Sequence, residues 1–534
     1  MKRKSYGIIA LMLLLAMAAG CSKTTGPAAG PQVDPIDDNY RVFYQIFVGS
    51  FSDSDGDGTG DLKGIINRMD YLNDGNVNSG ESLGVQGLWL SPVFASPSYH
   101  KYDTTSYYRI DPAFGTEEDL KELLDICHER NVKVILDLVI NHTSTSNLWY
   151  KRFELAQQAG RTDDKYYNFY SWADNNSRIP GSAYSKISGT DHYYECNFSG
   201  DMPELNYDNE EVMTEMLNVA KYWLDLGVDG FRFDAIKYIY FGNTPKSVEF
   251  WKKYMAELKK MKPDIYCVGE CWSADAETLQ YISALNCFNF QMAQAEGYIA
   301  NAAKGSNIAI FTGYVEDYQD KVQKANPEAM TIPFISNHDM DRAAGYLTLA
   351  SNRSKMAANL YILSFGSPFI YYGEEVGLKG SRGSSNTDAN RRLAMFWGDG
   401  DTVKDPVGTT YDSAKQTNGS VENQLKDEDS QLRYYQKLIA LRNKYPEIAR
   451  GEYDSLEFGI SSFGGFRITY EGSEIILLHN TKDKDAEIDL STCSELKGAQ
   501  LRICDFIGQG EASLEGNTLT IGPQTSVILK RDEH

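Results

Sequence analysis

Cysteine is scarce in this 534-residue chain: there are eight, and no two stand at CxxC spacing. That argues against a thiolate zinc cage. With Cys21 set aside, Cys127, Cys196, Cys267, Cys271, Cys287, Cys493 and Cys504 remain, an odd number, so at least one thiol is free or pairs elsewhere. Cys493 and Cys504 are the first pair to test for a disulfide, the alternative being small buried residues. Basic charge is also in deficit. Lys and Arg total 52 against 74 Asp and Glu, a net charge of −22. Nucleic-acid binding needs a basic surface, so that partner class is disfavoured. No glycine-rich phosphate turn follows the first strand-like segment, which counts against a doubly wound nucleotide-binding sheet. No short internal repeat stands out. The apolar run "GIIALMLLLAMAAG" is too short for a permanent membrane span.

That run has another reading. Lys2, Arg3 and Lys4 precede it and "AAGC" ends it. The arrangement resembles a bacterial lipoprotein signal over residues 1–20, with Cys21 as the lipidated residue and Ala18 where Leu is commoner. Residues 21–38, rich in Pro, Gly and Ala, read as a flexible tether. The expectation is a protein outside the cytoplasm, lipid-anchored to the cell envelope, exposed at its surface and monomeric. Tyrosine is abundant at 35, with 23 Phe and 7 Trp. Flat rings suit sugar faces, although most single rings serve a core.

From about Tyr40 onwards, strand-like and helix-like segments alternate. "RVFYQIFVGSF", "VQGLWLSPV", "KVILDLVIN", "DGFRFDA", "IYCVGEC", "FNFQM", "TIPFISNHD" and "SPFIYYGEE" read as eight strands, mostly followed by helices. "TEEDLKELLDICHERN" is a clear helix, with Thr116 as its cap and acids in its first turn. This is the arithmetic of an α/β chain folded as a (β/α)₈ barrel. The stretch 143–209 is too long for a βα loop and is expected to be a small inserted domain after the third strand. The barrel then comprises 39–142 and 210–450. Residues 451–534 change to short alternating runs such as "EIILLHN", read as a C-terminal antiparallel β-sandwich.

A barrel places its chemistry at the C-terminal ends of its strands. Those ends carry Asp137, Asn141 and His142, then Arg232, Asp234 and Lys237, then Glu270, then His338 and Asp339. One Asp at a strand end is often only a helix cap; several acids converging are harder to read that way. Several carboxylates without a nucleophilic Ser or Cys suit glycoside hydrolysis, in which one acid protonates the leaving oxygen and a second attacks or stabilises the cationic carbon. Arg232 lies two residues before Asp234, on the same face of the strand, and favours its ionised form. Glu270 lies among apolar neighbours that favour the protonated form.

"DLVINH", "GFRFDAIKY", "VGE" and "FISNHD" resemble the four core motifs of the α-amylase family, glycoside hydrolase family thirteen. "GLWLSPV", "MPELN" and "GSPFIYYGEE" resemble its supplementary motifs, in family order. The resemblance implies Asp234 as nucleophile, Glu270 as general acid/base, Asp339 as transition-state stabiliser, and a covalent glycosyl intermediate. It implies that Arg232 supports Asp234 and that His142 and His338 contact the sugar at the cleavage point. Tyr102 would be the platform under that sugar, Lys237 a further substrate contact, and Asp388 with Arg392 the grip on the next sugar. The implied substrate is starch, glycogen or a maltooligosaccharide, attacked internally at α-1,4 bonds. Ala235 and Lys237 look like the α-1,4-cleaving members, while "MPELN" leans to the neopullulanase and cyclomaltodextrinase side, which stays open, as does α-glucosidase. A non-catalytic glucan binder would show a loss at Asp234 or Glu270, and neither is lost.

"DSDGDGTGD" remains. Asp53, Asp55, Asp57, Thr59 and Asp61 follow EF-hand positions one to nine, but position twelve is Gly64 and a strand precedes the loop. It is similar to a structural calcium loop that follows the first barrel strand in the family, with Thr59 contributing its backbone oxygen. A second calcium near Asn141 is in doubt, because Tyr238 stands where His is common.

Overall fold

A computed structural model describes residues 36–347 and 352–532. The expected leader, most of the expected tether and Cys21 lie outside the described residues. No helix among the described residues is long and apolar enough to cross a membrane.

Seven parallel strands form a curled sheet in the spatial order Asn286–Cys287, Tyr266–Gly269, Gly230–Phe233, Lys133–Leu138, Gly87–Leu90, Phe43–Ile46, Phe369–Tyr371. The remaining gap is closed by residues 331–335. Ile332 bridges Phe288 in parallel. The Asn289 amide donates to the Ile332 carbonyl at 3.0 Å, while the Ser367 and Phe369 amides donate to the carbonyls of Thr331 and Pro333, each at 3.0 Å. The expected seventh strand is therefore in place but has no regular ladder, because Pro333 has no N–H to give. The sixth strand is also displaced. It was expected at 288–292, yet it pairs at Asn286–Cys287, and Phe290 onwards turns away, with the Ala293 amide donating to the Phe290 carbonyl. The result is a (β/α)₈ barrel.

Helices follow the strands as their patterns predict. Thr116 and Asp119 form a capping box, and Leu120, Leu123, Leu124 and Cys127 bury one stripe of Glu117–Glu129 at helical spacing. Residues 143–209 carry the helix Leu148–Gln158 and a three-stranded antiparallel sheet of Trp172–Ala173, Tyr193–Glu195 and Tyr184–Lys186. The chain returns to the barrel through the Leu205 amide, which donates to the Asn141 carbonyl at 2.9 Å.

The C-terminal region holds a five-stranded and a three-stranded antiparallel sheet. Strand Ser473–Asn480 alternates strictly. Ile475 and Leu477 join the barrel's core, while Ile476 and Leu478 join a second core between the two sheets. In Thr525–Arg531 the same period sends Ile528 one way and Val527 and Leu529 the other. The seven described cysteines are all free thiols. Cys493 and Cys504 are not bridged. The first lies 3.1 Å from Glu495 and the second 3.2 Å from Arg502.

Candidate active site

The strand register builds the site. Asp137 on the third strand lies opposite Arg232 on the fourth. Arg232 is fully buried, and its Nη1 donates to Asp137 Oδ1 at 2.9 Å and to Asp234 Oδ1 at 2.8 Å. Its Nη2 contacts Glu270 Oε2. The rigid guanidinium fork thus holds three carboxylates from three adjacent strands. Strand alternation had implied the Asp234 contact; those to Asp137 and Glu270 depend on register between strands. The chain leaves the fourth strand through Ala235, in the left-handed region at φ 48°.

Glu270 directly follows the fifth strand, its amide donating to the Phe233 carbonyl at 2.9 Å. Burial pushes its carboxyl up; Arg232 pulls the other way, but Asp234 and Asp339 add to the rise, and it reaches about 8. Burial also outweighs Arg232 at Asp137 and raises its pKa. Asp339 goes the other way. Burial opposes its ionisation, but His338, Arg392 and Arg232 outweigh it and hold the carboxyl well below the usual range.

Burial pushes His338 down to about 3, although Asp339 beside it pulls the other way. Gln45 Nε2 lies 2.7 Å from Nδ1 of His338. With Gln45 donating there, the ring proton sits on Nε2, which faces Tyr102 Oη at 2.6 Å and Asp339 Oδ2 at 3.1 Å. Tyr102 stacks parallel on His338 at 5.4 Å and donates to Asp137 Oδ2 at 2.9 Å. His142 is buried with Phe198 packed against its ring, and its Nε2 has no hydrogen-bond partner in the protein.

Asp388 and Arg392, expected together as the grip on the next sugar, are each held by protein groups. Arg392 donates to Asp339 Oδ1 at 2.8 Å, to the His338 carbonyl at 3.0 Å and to Tyr99 Oη at 2.9 Å. Asp388 is held in a fork by Arg382 at 2.7 Å for each contact, and by Arg391 at 2.9 Å. Lys237 Nζ donates to the Trp272 carbonyl at 2.7 Å and to Ser273 Oγ at 3.0 Å, tying the loops after the fourth and fifth strands together.

The sequence reading missed a bracket around Arg392. Arg342 Nε donates to the Arg391 carbonyl at 2.9 Å, Tyr371 Oη to the same carbonyl at 3.0 Å, and Tyr372 Oη to the Leu393 carbonyl at 2.6 Å. Main chain on both sides of Arg392 is thereby fixed. The two tyrosines of "FIYYGEE" were the available signal.

Glu270, Asp339 and Asp388 open into a cavity of about 680 Å³, with Phe198 and Trp272 on its walls. This is a pocket of acids and rings at the C-terminal mouth of a barrel. The description "Alpha amylase, catalytic domain" matches residues 45–451. The chain belongs to the α-amylase family. It is a glycoside hydrolase of that family, which implies a glucan substrate. It is similar to "Alpha-amylase 3" of Dictyoglomus thermophilum, 32% identical over 477 residues that cover 88% of this chain and 89% of that one. It is also similar to the cyclomaltodextrinase of Thermoanaerobacter pseudethanolicus, 30% identical over 88% of this chain and 70% of that one. Among solved structures, Amy13B of Eubacterium rectale matches with a TM-score of 0.85 at 33% identity, covering 94% of this chain and 98% of that one.

This α-amylase-family chain carries a second acidic site. Ligand oxygens of Asp53, Asp55 and Asp61 lie within 4.8 Å of one another. Asp61 caps the helix Leu62–Asn67, accepting from the Gly64 amide at 2.7 Å, and its other oxygen accepts from Ser54 at 2.8 Å. Asp53 accepts from the amides of Gly56 and Gly58, each at 2.8 Å. Asp57 departs from the expected set. It is outside the cluster, its Oδ1 accepting from the Thr59 amide at 2.6 Å. At Gly64 a Cβ would fall 1.9 Å from the Ser52 carbonyl oxygen, so no position-twelve glutamate fits and the EF-hand reading is excluded on packing as well. Carboxylate oxygens are the ligand type that calcium takes.

Proposed function

We propose that the chain is a retaining, endo-acting α-amylase that hydrolyses α-1,4 bonds in starch, glycogen and maltooligosaccharides. The observation that carries this reading is one buried guanidinium holding Asp234 beside Glu270, which lines a cavity together with Asp339. Asp234, oriented by its hydrogen bond from Arg232, attacks the anomeric carbon. Glu270, held protonated, gives its proton to the leaving glycosidic oxygen as the bond breaks. The sugar is then esterified to Asp234. Glu270, now a carboxylate, takes a proton from water, which attacks the same carbon and frees Asp234. Asp339, kept ionised, stabilises the positive charge that develops between these steps. Tyr102, His142 and His338 define the place of the reacting sugar. The "MPELN" motif and the cyclomaltodextrinase relative support a second reading, preference for cyclic or branched glucans.

We further propose a structural calcium at Asp53, Asp55 and Asp61 with the Thr59 carbonyl. It would neutralise the loop's charge and take no part in bond breaking. The leader reading supports a lipid anchor at Cys21 and substrate met outside the cytoplasm.

The test is the product profile on soluble starch, pullulan and cyclodextrin, beside Asp234→Asn. Rapid loss of starch iodine colour with mixed short maltooligosaccharides, abolished in the variant, is the expected result. Preference for cyclodextrin or pullulan moves the assignment to the second reading. Starch bound but no substrate cleaved overturns both.

A further inference from the structure

A second cavity, of about 490 Å³, opens between the inserted segment and the loop that leaves the fourth strand. Four features give it a chemical character. First, its walls carry half-buried rings, Trp172, Tyr184, Tyr238 and Phe241, interleaved with hydrogen-bonding side chains that include the Lys246–Asp208 ion pair at 2.6 Å. Flat apolar faces beside polar edges match a sugar ring, which has the same two-sided character. Second, Glu195 and Glu204 are buried in its wall and accept hydrogen bonds from Ser182 and Asn197. Carboxyl oxygens beside flat rings can pair with the hydroxyls of a sugar.

Third, Tyr240, also on the wall, holds φ at +60°, a conformation costly for a bulky side chain, with Lys246 Nζ 4.0 Å above its ring. Such strain persists where surrounding structure imposes it, and it concentrates at ligand clamps. Fourth, the walls of the two cavities adjoin through packed rings. Phe198, on the catalytic cavity's wall, packs against Tyr238 at 4.6 Å, and Tyr238 stacks on Phe241 at 5.2 Å.

We propose that this cavity is a second carbohydrate-binding site, holding a distal stretch of the same neutral α-glucan that is cut at the carboxylate cluster. The proposal rests on the glucan reading above and adds a length preference to it: chains long enough to reach both cavities bind better than short ones.

The experiment compares Phe241→Ala and Phe241→Trp in two backgrounds. In Asp234→Asn, binding of maltoheptaose is titrated by calorimetry; in the active chain, KM is measured for soluble starch and for a short chromogenic maltoside. Phe241→Ala is expected to weaken maltoheptaose binding and raise the starch KM about three- to tenfold, with the short substrate unchanged within twofold and Phe241→Trp close to the parent. Unchanged long-chain binding in Phe241→Ala overturns the site and leaves the amylase reading standing. Equal loss on both substrates overturns it as well, because it reports a distorted catalytic cavity. A parent that neither binds maltoheptaose nor cuts starch overturns the glucan reading and this site with it.

Discussion

The chain gathers carboxylates in two places and manages their repulsion in opposite ways. At the barrel mouth, Asp137, Asp234 and Glu270 are desolvated and share one buried arginine, with burial raising Glu270 and Asp137. In the loop 53–61, Asp55 and Asp57 are solvated and backbone amides supply most of the hydrogen bonds. Charge in the first place is tuned by a fixed cation and by proton occupancy, which is what acid–base chemistry requires. Charge in the second is met by dipoles from the chain's own turn, which suits a structural role. Clustered acids are therefore not one kind of signal; what neutralises them separates chemistry from scaffolding.

The sharpest break between the two is removal of one charge. Asp234→Asn is expected to lower kcat on starch by at least about 10³-fold, since it deletes the attacking group, while thermal stability holds or rises. Asp53→Asn is expected to do the reverse, leaving kcat within a few-fold at saturating calcium and lowering the melting temperature. Equal effects on kcat would erase the distinction.

Arg232→Lys comes next. A lysine cannot bridge three carboxylates as a planar fork does. Leaving buried charge unpaired costs on the order of 3–5 kcal/mol, so both kcat and thermal stability should fall, read by starch assays and thermal melts. A variant with parental stability would show that the guanidinium is not what holds the cluster.

The pH profile is expected to discriminate more finely. Glu270 must be protonated to act as acid, and its raised value keeps it so at neutral pH. Activity should fall as pH rises through about 8, by about tenfold per unit beyond it. A profile already falling between pH 5 and 6 would contradict a raised acid.

The smallest effect belongs to the loop. Chelation is expected to lower the melting temperature by a few degrees, because calcium at a hundred times its Kd adds about 2.7 kcal/mol. Asp57→Asn should matter less than Asp53→Asn or Asp55→Asn, because Asp57 is outside the cluster. Equal effects would restore Asp57 to the ligand set.

Much of this was legible in the linear sequence, for definite reasons. The barrel strands and Thr116-capped helix follow local periodicity and capping, and Asp234, Glu270 and Asp339 follow from strand ends plus family motifs. What escaped depends on relations between segments. The sixth strand pairs at Asn286–Cys287, ahead of the "FNFQM" run expected to form it, and the expected seventh strand has no regular ladder at Pro333. The Arg232 contacts to Asp137 and Glu270 follow from register across three strands. The guanidinium of Arg392 reaches Asp339, Tyr99 and the His338 carbonyl, and nothing local in "DANRR" reports those protein contacts. Tyr240's left-handed backbone has no signature in "IKYIYFG", because side-chain type alone predicts the opposite.

The alternating strand Ser473–Asn480 has a practical consequence. Its odd-numbered apolar residues Ile475 and Leu477 line the barrel's core and its even-numbered Ile476 and Leu478 line the sandwich's. It is a party wall, and cutting the chain at 451 to obtain a minimal enzyme would strip apolar surface from the piece that is kept. The terminal region is thus a lining of the catalytic unit as well as an appendage to it, and protein engineers should expect the two to melt together.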